Sequence, residues 1–305
     1  NANTFFSGSK GKFGYTLFAG FNDKAAFDVN KDGFAEVPEQ RDMVFHPRLF
    51  WNISDRSRLT AGWNSSFDKR SCGDISAIRN GADSLHPFLR SEHGERHTAD
   101  LAFTSNLNDH HSLTLKSAFS SFDRTVNQPA YYFNGTQLSG YAELNDKMVY
   151  GRHTLVAGGN LLTNDFFQKK TDSTDLQEVH RPTLGLFVQD DIRLTAGISV
   201  QLGIRNDRIK DYGNHVLPRI SLLMKPDEHF SIRLAGGSGY KVPDLFDVTD
   251  PSGYRFSYPV QPRIEKSKGI NADISYRRLI ADKIGLQIDQ AFYYTSITDP
   301  VIVMS

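Results

Sequence analysis

Apolar and polar side chains alternate along this chain with a period of two. Residues 197–205 read G-I-S-V-Q-L-G-I-R, which puts Ile198, Val200, Leu202 and Ile204 on one face of an extended segment and Ser199, Gln201, Gly203 and Arg205 on the other. Residues 284–294 repeat the pattern, with Ile284, Leu286, Ile288, Phe292 and Tyr294 opposite Gly285, Gln287, Asp289 and Ala291. So do residues 13–21, where Phe13, Tyr15, Leu17, Ala19 and Phe21 oppose Gly14, Thr16 and Gly20. Residues 97–107 and 230–235 follow suit, with Asp100 and Arg233 on the polar faces. Helical spacing fails in all of these segments, so the chain is predicted to be all-β.

The connections alternate in length. Tight ones fall near 9–11, 54–57, 108–111, 150–152, 195–197, 225–229 and 280–283, and longer ones near 24–41, 70–95, 125–134, 167–180, 208–215 and 241–265. This gives about fourteen strands of roughly 8 to 14 residues, enough for the ~9 to 11 that a tilted bilayer strand needs. Strands of a soluble sandwich average only ~5 to 6 residues. Trp51 and Trp63 flank the tight connection at 54–57 on the apolar face, where an interfacial aromatic girdle would stand. The expected fold is an antiparallel up-and-down transmembrane β-barrel with short turns on one rim and long loops on the other.

Composition leaves that reading intact. The 305 residues hold 35 basic and 35 acidic side chains, a balance that gives no bias toward nucleic acid. No run approaches the ~20 apolar residues of a membrane helix, and the mean hydropathy of −0.44 is what a barrel with a polar interior shows. Cys72 stands alone, which rules out an intrachain disulfide and a cysteine-built zinc site. G-x-S-x-G, H-E-x-x-H and a phosphate-binding glycine loop are all missing from the sequence.

Four segments then resemble, in order, those of TonB-dependent outer-membrane receptors: "LGLFVQDDIRL" from 184, "LGIRND" from 202, "LPRISLLMKP" from 217 and "RLAGGSGYKVPDLFD" from 233. "QPRIEKSKGINADISYRR" and "AFYYTSITDPVI" resemble later strands of that family, with Gln261 and Ile264 departing from its usual Asn and Leu. The resemblance implies an outer-membrane location and active uptake of a scarce ligand, with a ferric siderophore first and haem or cobalamin after it. It also implies contact with lipid, and with TonB through a plug domain. Lys12, Lys116 and Arg205 would face that plug. Against the family's plug and twenty-two strands, residues 1–305 read as one partial barrel domain, a central slice whose sheet is expected to be incomplete. An outer-membrane barrel enzyme and an adhesion or bacteriocin-docking protein remain the other classes.

Candidate chemistry lies in the long connections. Arg79, His86, Arg90 and His93 occupy the stretch 70–95, where arginines would attract an anionic chelate and histidines could ligate haem iron. Tyr131, Tyr132 and Phe133 could stack on a planar ligand or form part of the rim girdle. "DVNKDGFAEVPE", residues 28–39, has the twelve-residue calcium spacing, with oxygens from Asp28, Asn30, Asp32, the Phe34 carbonyl, Glu36 and Glu39. Strand-like sequence precedes it and Pro38 follows, so no EF-hand helices flank it. It reads either as a calcium staple for a surface loop or as an ordinary Asx turn. No cofactor is otherwise required.

Overall fold

The computed structural model describes residues 1–171, 178–242, 263–280 and 283–300. Its strands are β1 (Ala2–Lys10), β2 (Phe13–Lys24), β3 (Glu39–Ser54), β4 (Ser57–Gly73), β5 (Leu89–Asn106), β6 (His111–Gln128), β7 (Tyr131–Tyr150) and β8 (His153–Thr171). They continue as β9 (Glu178–His180), β10 (Thr183–Arg193), β11 (Ile198–Ile209), β12 (Gly213–Met224), β13 (Phe230–Lys241), β14 (Glu265–Ile280) and β15 (Ile284–Thr298). One short helix, α1 (Ile75–Asn80), lies between β4 and β5.

The chain forms two compact units. In the first, β1 to β8 pair in sequence order, and β9 adds to β8. In the second, the turn-side ends of β6, β7 and β8 are followed by β10 to β15, again in order. The path is open: among the described residues β1 pairs with β2 alone and β15 with β14 alone. The predicted all-β, up-and-down, incomplete arrangement is what the structure has.

Register explains why these sequences pair. Phe13, Tyr15, Leu17, Ala19 and Phe21 of β2 stand beside Trp51, Leu49, Pro47, Phe45 and Met43 of β3, so the apolar rows coincide across the ladder. Slipping β3 by one residue would turn His46 and Arg48 into that row. The apolar row of β3 covers eight residue steps, about 26 Å along the strand, and ends at Arg41 beside Asp23 and Lys69. On β14 the corresponding row is Tyr276, Ile274, Ala272 and Ile270, followed by Lys268. These side chains are not a protein core. Met43, Leu49, Ile270 and Phe292 are all more than half exposed, and among the described residues only Ala77, Val126, Phe133, Ile209 and Ile264 are buried hydrophobics. A wide exposed apolar band bounded by charge is the surface that a bilayer covers.

Trp51 stacks on Phe13 near the tight turn, whereas Trp63 sits farther along β4 and donates its indole N–H to Ser65 Oγ at 2.7 Å. Both are on the apolar face, but at different heights. In the second unit that face ends near the tight turns in two hydrogen-bonded pairs, His111 Nδ1 with Asp146 Oδ2 and His153 Nδ1 with Asp190 Oδ2, at 2.8 and 2.7 Å.

The opposite face is polar. Arg48 reaches Asp100 at 3.1 Å across Gly62, where a Cβ would fall 2.4 Å from Asp100 Oδ1. Gly62→Leu is therefore expected to break this half-buried pair and lower stability by roughly 1–3 kcal/mol, read as a fall in thermal unfolding temperature. Lys116 and Arg205 lie on this face, bound to Glu143 and Asp207. Lys12 does not; it is in the first tight turn and donates to the Ile53 carbonyl.

The expected alternation of loop lengths fails at two places. The segments 125–134 and 208–215 are tight turns, because β6 and β7 run to Gln128 and from Tyr131, and β11 and β12 to Ile209 and from Gly213. Ala130 (φ 59°), Asp211 (φ 69°) and Gly213 (φ 82°) take the left-handed conformation that closes them. Long loops at 25–38 and 74–88 are as predicted. The stretches 172–177 and 243–262 lie outside the described residues.

Candidate functional site

Two long connections of the first unit are tied into one structure. Gly33 and Gly73 carbonyls accept from the amides of Ile75 and Ala35, and Asp74 N–H donates to the Phe88 carbonyl. Phe34 and Phe88 meet ring to ring at 6.0 Å. Asp74 caps α1, accepting from the Ser76 amide at 2.8 Å, so the helix starts where the loops join. The calcium-like segment is therefore seated on the 74–88 connection.

Inside that segment, Asp28 accepts from the amides of Lys31 and Gly33, Asp32 from the amide of Phe34, and Glu36 from the amide of Val29. The Phe34 amide first, and the Asn30 side chain next, hold the Asp32 carboxyl below its ordinary range. Oxygens of Asp28, Asp32 and Glu36 gather within 4.8 Å of one another. Asn30 Nδ2 donates to Asp32. Glu39 is not gathered with these three; it opens β3, paired with Ser71.

The ligand-directed residues separate. Arg79 is exposed on the last turn of α1. His86 is held by Asp83 at 3.3 Å, and the amides of His86 and Leu85 keep that carboxyl ionised below its ordinary pKa. Arg90 and His93, expected together, are three residues apart on one strand and so lie on opposite faces, Arg90 beside Cys72 and His93 beside Lys69. Tyr131 and Tyr132 split the same way. Phe133 is buried and stacks on Phe166 at 6.3 Å with planes 5° apart, over Gly135, so it packs the wall instead of presenting a free ring.

What sequence reading missed is an arginine group on the polar face. Arg90 and Arg124 both bind Glu92, at 2.5 and 2.6 Å. Arg70 pairs with Glu92 across the ladder, and Arg96 lies over the Phe122 ring at 4.2 Å. Two guanidinium groups, those of Arg90 and Arg124, share the Glu92 carboxylate, and the four arginines at the loop-side end of this face stand against the carboxylates of Glu92, Asp68 and Asp42. Matching parity of 70, 90, 92 and 96 was the available signal, but it needed the register of β4 against β5. Such a patch can bind an anion through paired N–H donors.

A family model described as "TonB dependent receptor-like, beta-barrel" matches residues 3–304. Comparison with curated proteins gives no match. Among solved structures, the chain is similar to the siderophore receptor PirA from Pseudomonas aeruginosa, with TM-score 0.71 and 14% identity over 97% of this chain and 51% of that one. It is also similar to the ferric-catecholate import receptor Fiu from K12 E. coli, with TM-score 0.72 and 10% identity over 96% and 55%. A third is FpvAI in complex with pyocin S2, with TM-score 0.69 and 12% identity over 95% and 47%. These likenesses are of fold, and the chain spans about half the length of each of these proteins.

Proposed function

Because this chain belongs to the TonB-dependent receptor β-barrel family, we propose that it builds part of the wall of an outer-membrane receptor that imports an anionic iron chelate, a ferric siderophore, with energy delivered through TonB. The observation that carries the ligand class is the arginine group of Arg70, Arg90, Arg96 and Arg124 at the loop-side end of the polar face. A ferric siderophore with a net negative charge would be drawn there and held by charge-assisted hydrogen bonds. The apolar face then contacts lipid, and polar-face ion pairs such as Lys116 with Glu143 and Arg205 with Asp207 face the side a plug would occupy. The account is one of transport, not catalysis. Binding of the receptor to ferric catecholate, ferric hydroxamate, haem and cobalamin, measured by intrinsic fluorescence quenching, tests the ligand class; tighter binding of haem or cobalamin than of either siderophore would overturn it. Similarity to a receptor seen with a pyocin supports bacteriocin docking on the same loops as a second use.

The cofactor belonging to this reading is calcium in the 28–39 loop. Asp28, Asp32 and Glu36 fit it: they are hard oxygen donors, gathered and largely exposed, with lone pairs left after their amide contacts. If affinity is that of extracellular calcium modules, ~10 mM calcium should stabilise the loop by about 1–3 kcal/mol. The measurement is protease cleavage within 25–38 with and without calcium. Protection should vanish in Asp28→Asn/Asp32→Asn, and cleavage indifferent to calcium in the wild type would leave only the turn.

A further inference from the structure

An apolar groove of about 540 Å³ runs over the lipid-side face of the second unit. Its floor is Gly236 and Ala272, and its sides are Ile220, Leu234, Ile270 and Phe292. Small residues in the floor and large ones at the sides follow from the register, since Gly236 pairs with Ile270 and Ala272 with both Leu234 and Phe292. Sharing Ile220, Gly236 and Ile270 with it is a second cavity of about 1030 Å³, directly toward the loop side. This one exists because the described β12–β13 ladder ends at Arg219 with Gly237, although β12 begins at Gly213 and β13 continues to Lys241. Lys266 and Lys268 line it, exposed, with Ser296 and Thr298 as their cross-strand neighbours. Lys268 is also where the apolar row of β14 stops.

An apolar groove that opens at the edge of the band onto two ammonium groups and two hydroxyls has the polarity of an acidic lipid. We propose that this groove is a specific site for a phosphorylated glycolipid of the lipid A type, with an acyl chain over Gly236 and Ala272 and a phosphate at Lys266 and Lys268. The occupant follows from the membrane reading above. The groove is continuous with the lipid-covered band, and the lysines lie on its loop side, which in that reading is the outer leaflet. Lysines held at a bilayer surface favour anionic head groups, and hydroxyls donate to phosphate oxygens.

The test uses the protein extracted from outer membranes in detergent, titrated with fluorescent bisphosphorylated lipid A, its dephosphorylated form and phosphatidylglycerol. Bisphosphorylated lipid A should bind at least tenfold tighter than either of the others. Lys266→Ala/Lys268→Ala should remove that preference, and Ala272→Phe, which fills the groove from a lipid-facing position, should weaken binding at least tenfold with the charges intact. Wild-type affinity in either variant, or equal binding of phosphatidylglycerol, would overturn the site. Both variants should be recovered in the outer-membrane fraction with unchanged strand content. Variants found there with undiminished binding sink the lipid site alone, whereas a wild type absent from that fraction sinks the membrane reading with it.

Discussion

Replacing Gly73 by valine is expected to unlatch the 25–38 loop from the 74–88 connection. Gly73 has φ 123°, and a Cβ there would fall 2.4 Å from the Phe88 carbonyl oxygen, a backbone atom that cannot swing aside. The same residue's carbonyl accepts from Ala35, and its neighbour Asp74 both donates to Phe88 and caps α1. Strained backbone and a steric clash coincide at the knot, so the local cost is roughly 2–4 kcal/mol. Hydrogen exchange at the Ala35 and Ile75 amides should accelerate by about 30- to 900-fold. Gly81→Ala is the control: φ there is 91°, but nothing lies within 4 Å of the added Cβ, so it bears only the backbone strain and should change exchange much less. Unchanged protection in Gly73→Val would mean that the two loops are not joined through this residue.

Reversing charge in the arginine group should have the larger functional effect. In Arg124→Glu, Glu92 loses its 2.6 Å partner and gains a like charge beside it, so the patch swings from net positive toward negative. Affinity for a ferric catecholate is expected to fall about 10- to 100-fold, and Arg124→Lys, which keeps the charge and loses the paired N–H geometry, by less. Lys169 makes the comparison sharp. It lies nearby but binds Asp123, whose other partner Thr136 also belongs to the apolar-face side of the rim, so Lys169→Glu should leave affinity within about twofold. Equal losses in the two charge reversals would point to long-range attraction and not to a site on the polar face.

The sequence discloses the fold far better than the site, for a physical reason. Alternation at Ile198, Val200, Leu202 and Ile204 reports directly which side of a strand meets lipid, because each side chain takes one of two directions. Tight turns at 54–57 and 150–152 are legible for the same reason, as brief interruptions of that alternation. Where strands rise above the apolar band both faces become polar, and the signal fades. That is why 125–134 and 208–215 read as long loops although Gln128 and Ile209 are still in strands. Site residues depend on register. Arg90 and His93 look like companions along the chain, and parity alone separates them. Arg70 and Arg124 look unrelated to either, and ladder pairing brings them to Glu92. Joining of the two loops through Gly33, Gly73 and Phe88 is carried by backbone groups, which every residue possesses and which therefore leave no mark in composition or spacing. The oxygen spacing of 28–39 was legible because it lies in consecutive residues, and the structure departs from it at Glu39, which β3 takes for its own ladder.

The most direct test of the central claim is uptake of iron-55 presented as a ferric siderophore by cells whose receptor carries this chain. The account predicts accumulation that needs the receptor, stops when TonB or the proton gradient is removed, and drops by at least tenfold in the Arg124→Glu receptor at limiting ligand. Accumulation that continues without TonB, or that is indifferent to Arg124→Glu while the receptor remains in the outer membrane, would contradict it.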